Sequence, residues 1–122
     1  MTFSFSQRSL QNLQGVHPDL VKVMTLSLAW SPYDFAIIQG CRTQAEEDTL
    51  VAKGLSQTKN SKHLTGRAVD FFVYVNGKGT WDTKYYAEVA VVIKKTAKEL
   101  NIPIIWGGDW KTLKDFDHIE LA

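Results

Sequence analysis

Apolar residues recur at helical spacing in some stretches of the chain and gather into short unbroken runs in others, which predicts helices and strands in one mixed fold. Phe5 to Leu13 reads as a short helix with a serine before it as cap. Leu20, Val23, Met24, Ser27 and Leu28 fall on one helical face, with Pro18 and Asp19 suited to a first turn. That helix should run to about Trp30 and stop at Ser31-Pro32. Asp34 to Gln39 is a buried-strand pattern ended by Gly40. Thr43 and Glu46 form a capping-box pair for a helix to Lys53, closed by Gly54. Gln57 to Gly66 is polar and predicts a loop, whereas Arg67 to Val75, rich in Val and Phe, predicts a central strand. Asn76-Gly77-Lys78-Gly79 is a turn signal. Asp82 should cap the longest helix, Lys84 to Leu100, with Ala87, Val91, Ile93, Ala97 and Leu100 mostly inward. Ile102 to Trp106 and Phe116 to Leu121 read as the last strands, separated by the breaker Gly107-Gly108. Helices and strands do not alternate regularly, so the expected fold is α+β: a small, mainly antiparallel sheet with helices packed against one face.

A length of 122 residues fits one domain, expected to occupy 1–122. The balance of 14 basic and 13 acidic residues supplies no field or basic stripe for nucleic acid. One cysteine, Cys41, excludes an intramolecular disulfide and reads as a buried thiol rather than a nucleophile. No apolar run approaches the ~20 residues that span a bilayer, and Met1 to Leu10 lacks a signal-peptide pattern. The protein is therefore expected to be made in a cytoplasm, with no membrane or nucleic-acid partner, and a monomer is the simplest expectation.

Of the three histidines, two sit beside acids: His63 in Ser61-Lys62-His63-Leu64-Thr65-Gly66-Arg67-Ala68-Val69-Asp70, and His118 in Asp115-Phe116-Asp117-His118-Ile119-Glu120. A catalytic zinc takes three protein ligands and keeps a position for water, and two imidazoles with a carboxylate are a suitable set. Gly66 allows a tight approach between the loop holding His63 and the strand holding Asp70, and a neighbouring last strand would add His118. Hydrogen-bonded His–Asp pairs without metal remain the competing reading. His17, before a proline at a helix start, reads as a cap; Asp117 as exposed or salt-bridged; Trp106 as core; Lys94, Lys95 and Lys98 as a solvated helix face. Trp81 and Trp110 are candidate groove walls, and Asp109 a residue that pins the Gly-rich loop.

Ser-x-His-x-x-Gly-x-Ala-x-Asp followed by a late Asp-x-x-His resembles the zinc peptidases of the VanY/VanX type. These include D-Ala-D-Ala carboxypeptidases and dipeptidases and phage L-alanyl-D-glutamate endopeptidases. His17-Pro18-Asp19-Leu20, Gly40-Cys41-Arg42-Thr43 and Trp106-Gly107-Gly108-Asp109-Trp110 resemble the phage endolysin branch. The resemblance implies a hedgehog/DD-peptidase-like fold with a Zn²⁺ ion on His63, Asp70 and His118. It also implies Asp115 as general base, Arg42 as the group that binds the substrate carbonyl and stabilises the oxyanion, and Ser61 as a supporting residue. Trp110 would line the substrate groove. The implied substrate is bacterial peptidoglycan, cut at the L-alanyl-D-glutamate bond in the periplasm after release from the host cytoplasm. A D-Ala-D-Ala carboxypeptidase and a non-catalytic zinc-binding module on the same fold are the alternatives. Alternation raises one difficulty: residues three apart on a strand face opposite sides. Asp115 can join His118 only if the strand begins after it or a bulge intervenes, and Glu120, on the His118 face, is the competing base.

Overall fold

The computed structural model describes residues 3–41, 44–54, 62–112 and 114–122. In chain order the elements are α1 (Gln7–Asn12), α2 (Pro18–Trp30), β1 (Asp34–Gln39), α3 (Gln44–Ala52), a 3-10 turn (Lys62–Thr65), β2 (Ala68–Val75), β3 (Lys78–Thr80), α4 (Thr83–Leu100), β4 (Ile104–Trp106), a second 3-10 turn (Gly107–Asp109) and β5 (His118–Leu121). The strands form one sheet in the order β1-β2-β5-β4, with β3 paired to β2, and every pairing is antiparallel. The α+β expectation holds.

Local chemistry sets most boundaries. His17 caps α2 by accepting the Asp19 N–H on Nδ1 at 3.1 Å, as its position before Pro18 suggested. Asp82 caps α4 by accepting the Lys84 N–H, and Asn101 closes that helix in the left-handed conformation. The two-residue loop of Asn76 (φ +53°) and Gly77 (φ +78°) has both residues in the left-handed region, the hairpin geometry that matches strand twist.

Period-two alternation sends Phe35, Ile37, Val69, Phe71, Val73, Ile119 and Leu121 to one face of the sheet. There they form a single buried cluster with α2 (Leu20, Val23, Met24, Leu28) and α4 (Tyr86, Val89, Ala90, Ile93, Ala97). Full burial of a large apolar side chain contributes about 1.5–3 kcal/mol, so this helix-covered face holds the fold together. Asp70, Phe72, Tyr74, His118 and Glu120 take the opposite face.

Several expectations are corrected. The first helix starts at Gln7 rather than Phe5, because Ser6 accepts the Ser9 N–H and sets the cap there. Lys78–Thr80, read only as turn, continues into a short strand along β2. Val91 is 65% exposed rather than inward, because the buried stripe of α4 runs through positions 86, 89, 90, 93, 96 and 97 and leaves 91 on the outer side. Cys41 is exposed rather than buried, because it follows β1 at the sheet edge beside Gly15. The last strand begins at His118, not Phe116. The expected cap Thr43 lies outside the described residues.

Candidate metal centre

The open face of the sheet, where β2 meets β5, brings the two histidine motifs together. Asp70 of β2 stands directly opposite His118 of β5. His63 arrives from the 3-10 turn before β2. The chain can enter the strand at this angle because Gly66 has φ +70° and its α-carbon lies against the Gly15 carbonyl, where a Cβ would come within 2.1 Å. The Gly66 carbonyl accepts the His17 N–H at 2.8 Å, tying this turn to the start of α2.

His63 Nε2 lies 3.4 Å and His118 Nδ1 3.3 Å from the same oxygen, Asp70 Oδ1. One donor atom from each of the three residues lies within 4.8 Å of the others. A tetrahedral ion with bonds of about 2.1 Å spaces its ligand atoms about 3.4 Å apart, close to both separations from Asp70, so this donor set suits such an ion. His63 is 2% exposed and donates through Nδ1 to the Gly40 carbonyl at 2.8 Å, which turns Nε2 toward Asp70. Burial pushes the Asp70 carboxyl up, but its bonds to His118 and His63 outweigh that and hold it at about 2. Burial likewise favours a neutral His118, and the bond to Asp70 overrides it, so its pKa is raised.

Asp115 reaches this centre by a route that simple alternation does not show. Asp115 to His118 is a turn closed by the His118 N–H to the Asp115 carbonyl at 3.2 Å, and β5 starts only at its end. The strand therefore begins after Asp115, and residues three apart lie on one side. Asp115, Asp117 and Asp70 each place a carboxylate oxygen within 4.8 Å of the others. The Gly-Gly loop supports the turn: the Gly107 carbonyl accepts the Asp115 N–H at 3.1 Å, and a Cβ on Gly107 would come within 2.2 Å of the Asp115 carbonyl. Trp106 is core, as expected, and it also donates its indole N–H to the Phe116 carbonyl at 2.7 Å.

A model of the phage L-alanyl-D-glutamate peptidase family matches residues 1–121. The chain belongs to that family. It is 41% identical over 120 residues to the L-alanyl-D-glutamate peptidase of Escherichia phage T5, covering 95% of this chain and 88% of that protein. It is 30% identical over 142 residues to the peptidoglycan L-alanyl-D-glutamate endopeptidase CwlK of Bacillus subtilis (strain 168), covering 95% and 81%. The crystal structure of the L-Ala D-Glu endopeptidase ChiX of Serratia marcescens superposes with a TM-score of 0.91 at 45% identity, over 98% of this chain and 90% of that one.

In this family member the remaining expected residues divide. Trp110 sets its ring 5.1 Å from the His118 ring, so it walls the centre. Trp81 is 61% exposed and lines, with Thr83, Tyr86, Asp115, Phe116 and Asp117, a cleft of about 290 Å³ beside the centre. Asp109 pins the Gly-rich loop to α4 through Lys94 at 2.6 Å, so Lys94 is not merely solvated. Arg42 and Ser61 lie outside the described residues. Asp117 is corrected: rather than pointing to solvent, it is packed toward Asp115 and Asp70, because the turn rather than a strand carries it. Burial, then the hydrogen bond with Asp115, pushes its carboxyl up to about 9.

Glu120 shares the His118 face, as alternation required, but it is already engaged. Its Oε1 lies 2.9 Å from His118 Nε2 and its Oε2 2.7 Å from Lys62 Nζ. Burial pushes the Glu120 carboxyl up; the bonds to Lys62 and His118 outweigh it and lower the pKa. The sequence reading missed this partnership, although the period-two spacing of His118 and Glu120 signalled it. Among the described residues, no helix is long and apolar enough to cross a membrane.

Proposed function

We propose that this chain is a zinc-dependent endopeptidase that hydrolyses the L-alanyl-D-glutamate bond of peptidoglycan stem peptides, with residues 1–122 as one catalytic domain. The observation that carries the reading is the convergence of two imidazole nitrogens at 3.3 and 3.4 Å on one Asp70 oxygen, in a member of this peptidase family. His63, Asp70 and His118 would hold the zinc. When bound, zinc supplies a Lewis acid and lowers the pKa of a water to about 7.

The chain's own residues do the rest. Asp115, one carboxylate away from the ligand Asp70, takes the proton of the attacking water and returns it to the leaving D-glutamyl amine. The Asp115–His118 turn and the Gly107 backbone fix that carboxylate. Glu120 is not the base in this reading, because Lys62 and His118 occupy both its oxygens. Arg42 binds the scissile carbonyl and stabilises the charge that develops on its oxygen, a task for a rigid, always-protonated fork. Ser61 supports the substrate or the loop, and Trp110 walls the groove. The protein acts as a monomer and reaches the periplasmic face of the wall once a separate protein opens the membrane.

The test is digestion of purified Gram-negative peptidoglycan with and without chelator, followed by mass analysis. New N-terminal D-glutamyl peptides that vanish with chelator and return with zinc are expected. Free D-alanine as the only product would make the protein a carboxypeptidase, and no product at all would make it a binding module.

A further inference from the structure

The two histidines of the centre are oriented by different kinds of partner. His63 is held by a backbone carbonyl, that of Gly40. His118 is held by a side chain: Glu120 lies two residues along the same strand, on the same face, with Oε1 2.9 Å from Nε2. Glu120 is itself held, because Lys62 Nζ lies 2.7 Å from its second oxygen and donates at 2.7 Å to the Leu121 carbonyl. Lys62 is the residue before His63, so the arrangement closes a ring from one ligand's turn to the other ligand's strand. The Glu120 side chain is only 13% exposed and the His118 side chain 8%, so water competes little for these bonds.

We propose that Lys62 and Glu120 are positioning residues: Glu120 accepts the Nε2 hydrogen of His118, so that Nδ1 faces Asp70 and the metal, and Lys62 keeps Glu120 in that pose. An ionised carboxylate has no hydrogen to donate, so a bond between Glu120 and Nε2 requires the hydrogen on Nε2. Lys62 Nζ, 2.7 Å from Oε2, anchors the far oxygen of Glu120. A carboxylate behind a ligand histidine fixes the ring and strengthens the nitrogen that binds metal, and losing such a partner typically costs about 10–100-fold in metal affinity. This inference rests on the zinc reading, but part of its test needs no metal.

Three variants decide it: Glu120→Ala, Glu120→Gln and Lys62→Met. Zinc affinity is read by competition with a chromophoric chelator, and fold by the melting temperature of the metal-free protein. Glu120→Ala should weaken zinc binding about 10–100-fold. Glu120→Gln, whose amide oxygen still accepts the hydrogen, should recover most of that loss, and Lys62→Met should fall between them. In proton spectra of metal-free wild type, the His118 Nε2 hydrogen should give a slowly exchanging downfield signal, and the Ala variant should lose it. Unchanged zinc affinity in a folded Glu120→Ala, or a wild-type ring with no protected Nε2 hydrogen, would overturn the proposal. Wild type that takes up no zinc would instead defeat the zinc reading, and the ring spectra would still decide the orientation.

Discussion

The two faces of β2 differ in how much each residue depends on its neighbours. On one face Val69, Phe71 and Val73 are fully buried against α2 and α4. Their attraction is non-directional and spread over many contacts, so a lost side chain removes roughly its own share. On the other face Asp70 stands between His63 and His118, His118 reaches on to Glu120, and Glu120 to Lys62. Each bond there needs a particular atom at a particular angle, and deleting one member leaves buried polar groups without their partner. A strand of eight residues thus carries stability on its odd positions and chemistry beginning at one even position. The helix-covered side supplies the rigidity that keeps the polar side in register.

Substitutions on the two faces should therefore separate activity from stability. The largest effect is expected for His63→Ala or His118→Ala: zinc and all measurable turnover should be lost while the far-ultraviolet circular dichroism stays native. Stoichiometric zinc in either variant by metal analysis would contradict the ligand assignment. Phe71→Ala, on the core face, should cost about 3–5 kcal/mol in denaturant unfolding, with the protein that remains folded still binding zinc. Asp115→Ala should keep both zinc and fold and lose turnover by about a hundredfold or more, or roughly 2.7 kcal/mol. Near-normal turnover there would return the base role to Glu120.

A pH dependence is also expected, confined to the polar face of the metal-free protein. Asp70 titrates at about 2 when folded, below its ordinary 3.8, so its contribution is present above 3.8 and lost as pH falls toward 2. His118 is raised above its ordinary 6.5, so its contribution is present below 6.5 and lost as pH rises through the folded value. Asp117, pushed up to about 9, keeps its proton where the unfolded chain has released one, which lowers stability as pH rises from 3.8 toward 9. Metal-free protein should therefore be most stable in mild acid, as read by urea unfolding across pH. Asp70→Asn should flatten the acid limb and Asp117→Asn the alkaline one; unchanged limbs would contradict these origins.

Much of this division was legible in the sequence. The Val- and Phe-rich run of 67–75 predicted the central strand that holds Asp70, and the resemblance carried by the two histidine motifs implied one centre. Capping chemistry placed α2 and α4 closely, because Pro18 and Asp82 act on their immediate neighbours. What alternation could not supply was where β5 begins. Treating 116–121 as strand made Asp115 and His118 face apart, whereas the bonds of Trp106 and Gly107 to that segment hold it as a turn. The same long-range bonds draw Asp117 inward. Glu120 was visible as a neighbour of His118 but looked like a base, because its second partner, Lys62, lies 58 positions earlier and meets it only in the folded sheet. Cys41 was misplaced because a small thiol's burial depends on what the sheet edge happens to meet.

The measurement that most directly tests the account is a crystal structure of the zinc-loaded protein with anomalous data at the zinc edge. One zinc is expected at about 2.0–2.2 Å from His63 Nε2, an Asp70 oxygen and His118 Nδ1, with Asp115 beside the fourth position and Glu120 still on His118 Nε2. A zinc bound elsewhere, or one held through His118 Nε2 with Glu120 displaced, would contradict it.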